Sequence, residues 1–128
     1  MPVSKAIVLY YAAGDEAQIA HAKGVFIRSG VRIRMVDASQ LGQAVGSFAG
    51  VEVPQPEVQD HPPVEESMMV FINMAMPKLY AVLTALDKAG VPRSVFKSVL
   101  TAENARWSFY QLYDELKKER EGMESKPQ

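Results

Sequence analysis

Two uninterrupted apolar runs, Ala6 to Tyr11 (AIVLYY) and Met68 to Ile72 with Asn73 at its end (MMVFIN), constrain the fold of this 128-residue chain most strongly. A strand with one wet face alternates apolar and polar residues, whereas a strand that is apolar throughout is covered on both faces. Each run is therefore expected at the centre of a sheet. Val31 to Val36 alternates instead, with Val31, Ile33 and Met35 on one side and two arginines on the other, and Val95 to Leu100 carries Lys97. Both read as edge strands.

Helical signals fill the intervals. Asp15 and Glu16 place acids in the first turn of a helix expected to reach about Ser29, and Gly30 is its stop. The apolar side of that helix includes Ile19, Ala22 and Phe26 with Ala20, Gly24 and Ile27. Pro77 suits the opening of a second helix, in which Leu79, Val82, Leu83 and Leu86 recur at i, i+3, i+4 and i+7 before Gly90. A short helix is expected over Gln40 to Val45. A last helix is expected from about Asn104, with Phe109, Leu112, Tyr113 and Leu116 as its stripe and a polar tail at 122–128.

The order is βαβ, a long connection, then βαβα. It predicts an α/β fold: a small three-layer, mostly parallel four-stranded sheet of order 2-1-3-4 with three main helices. Right-handed crossovers then set the first two helices on opposite faces. The alternative is a ferredoxin-like βαββαβ sheet plus a C-terminal helix, with both early helices on one face. Residues 1–121 are expected to form a single α/β domain, large enough to bury about two thirds of its unfolded surface. Within it, an insert at about 51–67 holds four prolines and five acids, a composition that excludes regular structure and reads as a solvated acidic loop.

Charge and cysteine content narrow the chemistry. Fourteen Lys and Arg face fifteen Asp and Glu, so the chain lacks the positive field that nucleic-acid backbones require. With no cysteine, thiol catalysis, disulfides and thiolate metal sites are all excluded. The first apolar run is too short for a signal-peptide core or a membrane span, so a cytoplasmic protein with no membrane partner is expected. His21 and His61 lack metal-ligand spacing and are read as surface residues. No sequence pattern asks for a cofactor.

In a parallel sheet, ligands bind beyond the carboxyl ends of the strands. Those ends would bring together Tyr11, Asp37, Asn73 and the segment Thr101 to Asn104. Thr101 and Asn104 offer a hydroxyl and an amide at a helix N-terminus, a setting for a small anionic ligand. Helix capping, with Asn104 as the N-cap, explains the same two residues without a ligand. Trp107 lies off the core stripe with Tyr110 on its flank, so it is either a partner surface, including a homodimer contact, or is covered by the insert. An enzyme would need Asp37 or Glu103 as a general base beside Thr101.

The stretch KSVLTAENARWSFYQLYDELKKERE, Lys97 to Glu121, resembles the signature of the family known as domain of unknown function 3783. VGSFAG at Val45 to Gly50 and the acidic lead into Met68 extend the similarity over most of the chain. The resemblance implies a small, soluble, mainly bacterial protein and brings no activity with it. Thr101, Asn104 and Trp107 match its pattern, whereas Ala102 and Glu103 stand where Pro and Thr are usual. The function expected first is a noncatalytic small-ligand or protein-binding module, then a self-association module, then an enzyme.

Overall fold

The computed structural model describes residues 6–14, 16–57 and 60–125, with side chains to 122. Asp15 and the last residues of the expected tail, 126–128, lie outside them. Two compact units emerge, one of residues 1–37 with 65–100 and one of residues 38–64 with 101–128.

The first unit is built on a four-stranded sheet: β1 (Ile7–Tyr11), β2 (Arg32–Val36), β3 (Met68–Ile72) and β4 (Phe96–Val99). Its order is β2-β1-β3-β4, with the two apolar runs in the centre and the two charged strands at the edges. Direction departs from expectation. β1 with β2 and β3 with β4 are parallel pairs, but β1 and β3 run antiparallel, with Ile7 opposite Ile72 and Tyr11 opposite Met68. The sheet is mixed rather than mostly parallel.

That reversal moves a helix. Helices α1 (Glu16–Arg28) and α2 (Met76–Lys88) share one core with Val8, Tyr10, Met69 and Phe71, which alternate onto a single face of the sheet. Two right-handed βαβ units stepping outward from the centre put their helices on opposite faces when all strands are parallel. Turning one unit end for end brings its helix to the same face as the other. The expected placement of α1 and α2 on opposite faces is therefore replaced by two helices side by side. They share a face as the ferredoxin-like alternative requires. That alternative splits its βαβ units, however, and here β1 pairs directly with β2 and β3 with β4.

Packing of this core is aromatic and aliphatic. Phe26 is fully buried and meets Tyr10 and Phe71 edge-on, with ring centroids 6.2 and 6.4 Å apart. Leu79, Val82 and Leu86 supply the buried side of α2 as their spacing foretold. On α1 the buried residues are Ala22, Val25 and Phe26, and Ile27, expected on the apolar side, is 71% exposed. The alternate residues Leu9, Met68 and Val70 are also buried, in keeping with continuous apolar runs. At the C-terminal end of α1, Lys78 Nζ donates to the Ser29 carbonyl at 2.8 Å. Gly30 and Gly90, at φ 70° and 85°, take the left-handed turns that end the two helices.

The second unit has little regular structure before its long helix. Ala38–Gln40 and Val45–Ala49 are 3-10 turns in place of the helix expected over Gln40 to Val45. Asn104–Arg106 is a third 3-10 turn, and α3 runs from Phe109 to Ser125. The last helix thus starts five residues later than expected and continues beyond Arg120. Phe109, Leu112 and Tyr113 are buried, and Phe109 meets Phe48 edge-on at 5.2 Å.

Candidate functional site

The candidate residues divide between the two units. In the sheet unit, Tyr11 and Asp37 follow the carboxyl ends of β1 and β2, whereas Asn73 follows β3, which runs the other way. Tyr11 and Asn73 therefore stand at opposite ends of the sheet, and the expected gathering of strand termini does not form. Tyr11 is buried and Asp37 exposed. Asn73 has a backbone reason for its identity: at φ 58° it holds a left-handed conformation that Asn tolerates better than most residues. Beside the Tyr11 end, a cavity of about 170 Å³ is lined by Gly14, Gln18, Glu65, Glu66, Ser67 and Ser94 among others. Glu65 and Glu66 set two carboxylates there, with no cation among the described lining residues, which disfavours an anion.

In the second unit, Thr101, Asn104, Trp107 and Tyr110 belong to one continuous piece of architecture. The Asn104 amide donates to Thr101 Oγ1 at 3.0 Å, and the Thr101 amide donates to Asn104 Oδ1 at 2.8 Å. This is the reciprocal arrangement of a capping box, with Thr101 as the cap and Asn104 in the position three residues on. Capping does account for the pair, with the roles exchanged from the expectation that Asn104 caps. The cap of α3 itself is Ser108, 2% exposed, whose Oγ accepts the Gln111 amide at 3.1 Å.

The turn so formed is pinned to the VGSFAG segment. The Val45 amide donates to the Trp107 carbonyl at 2.8 Å, and Ala44 and Ser108 form an antiparallel bridge. The Tyr110 amide donates to the Leu41 carbonyl at 3.1 Å. Gly46 lies so close to the turn that a Cβ added to it would sit 2.7 Å from Ala105 Cβ and 2.9 Å from the Ala105 carbonyl. Only glycine lets the two backbones approach this far. Trp107 ends the 3-10 turn in extended backbone and is half-buried. Glu103 and Arg106 are exposed beside it.

The residue that sequence reasoning missed is His61. Read as a surface residue of the acidic insert, its side chain is only 9% exposed. The imidazole stacks on Tyr110 with centroids 4.4 Å apart and planes 15° apart, and meets Tyr113 edge-on at 6.2 Å. Nε2 lies 2.9 Å from Asp114 Oδ1, and Nδ1 lies 2.6 Å from the Pro62 carbonyl. Burial pulls the His61 pKa down, but the Asp114 hydrogen bond, the Pro62 carbonyl and the Asp114 charge together outweigh it, with Lys117 opposing, and the net shift is upward. Both ring nitrogens are engaged, so the His61 and Asp114 pair has no nitrogen free to act on a substrate in this arrangement.

The rest of the insert matches its composition: 51–57 and 60–65 are irregular, with Glu52, Glu57, Asp60 and Glu65 exposed. Among the described residues, no group of three or more His, Asp or Glu is placed to hold a metal ion, and no helix is long and apolar enough to cross a membrane.

Residues 67–123 match the model of a domain of unknown function, DUF3783. Over that span, 57 of the 128 residues, the chain is similar to that family. The match takes in β3, α2, β4, the Thr101 to Trp107 turn and most of α3, whereas VGSFAG and nearly all of the acidic insert lie before it. No curated protein and no solved structure matches the chain.

Proposed function

We propose that this chain, similar to DUF3783 over residues 67–123, is a noncatalytic binding module that recognises a protein partner at the Thr101 to Trp107 turn. The observation that carries the reading is a partly buried tryptophan, still reached by solvent, at the end of a turn whose shape is already fixed. Thr101 and Asn104 brace the turn from within, and Val45 and Ser108 tie down its exit. An aromatic side chain on a pre-ordered backbone loses little entropy on docking, and tryptophan is enriched among the residues that dominate protein interfaces. Exposed Glu103 and Arg106 beside it supply a polar rim of both signs.

The same bonds weigh against the small-anion reading. Thr101 Oγ1 and Asn104 Oδ1 already accept backbone amides, so an anion drawn to those amides would have to displace them. Native mass spectrometry of the freshly purified chain beside Trp107→Ala tests the proposal. A complex with a second copy or another polypeptide that the variant weakens supports it. A retained small molecule that survives Trp107→Ala and disappears in Asn104→Ala overturns it in favour of a ligand site.

A further inference from the structure

We propose that His61 is a pH-operated latch whose imidazolium holds the proline-rich segment on α3, and whose deprotonation releases that segment from Tyr110. The two partners favour the charged ring. The Pro62 carbonyl can only accept a hydrogen bond, and an ionised Asp114 can only accept, so a ring donating to both needs a proton on each nitrogen. A neutral ring has one proton to give and would turn a lone pair toward the remaining acceptor.

The stripe that receives the ring is Tyr110, Tyr113, Asp114 and Lys117, at i, i+3, i+4 and i+7 on α3. Asp114 favours the charged ring, Lys117 opposes it, and Lys117 Nζ lies 5.8 Å from the centre of the Tyr113 ring. At its other end the segment is tied by Gln55, whose Oε1 accepts the Ala44 amide at 3.1 Å. Among the described residues between Gln55 and Val64, His61 reaches α3 through its hydrogen bond to Asp114. Opening would bare the face of Tyr110 on which the ring stacks.

The sign follows from linkage. The pKa of His61 in the closed state stands above its ordinary value near 6.5, so closure is fully favoured below that value and is lost as pH rises through the shifted pKa. Nuclear magnetic resonance titration of the full chain follows the His61 imidazole, with the same imidazole in the urea-unfolded chain as the reference. Hydrogen exchange at Val53, Gln55, Glu57 and Val64, corrected for intrinsic rates, reports the segment. His61 is expected to titrate above its value in the unfolded chain, and protection is expected to fall through the His61 transition. In His61→Phe, which keeps a stacking ring without a proton, protection is expected to lose that pH dependence. Asp114→Asn should lower the His61 pKa and move release to lower pH. The latch is overturned if His61 titrates at or below its value in the unfolded chain, or if His61→Phe keeps the wild-type pH profile.

Discussion

Gly46→Ala isolates the contact on which the second unit turns. The added methyl would lie 2.7 Å from Ala105 Cβ, 2.9 Å from the Ala105 carbonyl and 3.3 Å from Ala105 Cα. Carbon atoms in good contact sit about 3.5–4.0 Å apart, so the Cβ pair falls short by roughly 1 Å. Two of the three neighbours are backbone atoms, which cannot swing aside as a flexible side chain can. Overpacking of this kind costs about 1–3 kcal/mol. With a urea slope of about 1–3 kcal/mol/M, the denaturation midpoint should drop by roughly 1 M. Gly42→Ala in the same segment is the control. Its nearest neighbour is Tyr110 Cε2 at 4.0 Å and its φ is not positive, so it should be neutral or stabilising by about 0.4–1 kcal/mol. Adding Ala105→Gly to Gly46→Ala removes the methyl pair while leaving the carbonyl contact, and should recover part of the loss. Equal midpoints for Gly46→Ala and Gly42→Ala, or no recovery in the double variant, would refute the close-approach argument.

The caps give three further expectations. Ser108→Ala removes the Oγ that accepts the Gln111 amide at the start of α3 and should cost about 1 kcal/mol, read by urea denaturation, with Ser108→Thr closer to wild type. Thr101→Val deletes the hydroxyl that accepts the Asn104 amide and should cost about 0.5–2 kcal/mol, whereas Thr101→Ser should keep most of the stability; equal losses would remove the capping-box assignment. Lys78→Met severs the ammonium from the Ser29 carbonyl at the end of α1 and should lower the thermal midpoint, with an expected loss of about 0.5–1.5 kcal/mol.

The strand order was legible because burial and exposure write themselves into composition. Ile7 to Tyr11 and Met68 to Ile72 could only be central, and Arg32, Arg34 and Lys97 only peripheral. Strand direction has no such trace. An apolar run reads the same whichever way it enters the sheet, and roughly thirty residues between β2 and β3 let β3 start from either end. From that one undetermined choice came two of the corrections in the first unit: the shared face of α1 and α2, and the separation of Tyr11 from Asn73. The stripe of α2 correctly showed which side of the helix is buried, but periodicity along a helix does not say which face of a sheet receives it.

The candidate turn was legible as a unit and misread in its parts. Thr101 and Asn104 at i and i+3 carry the spacing of a capping box, but the apolar stripe beginning at Phe109 left open where the helix starts, and Ser108 was passed over as its cap. His61 failed for a different reason. Proline and acid around it argue for solvent, and its partner Asp114 is 53 positions away in sequence. One signal lay on the receiving side. Tyr110, Asp114 and Lys117 run along α3 beside the core stripe and adjoin its Tyr113, setting two aromatic rings next to a carboxylate. Such a surface fits a planar cation with two donor hydrogens, and His61 lies in the irregular segment folded within the same unit as α3. A sequence search for the latch therefore starts from the helix that offers the socket, because the socket is periodic and the histidine that fills it is not.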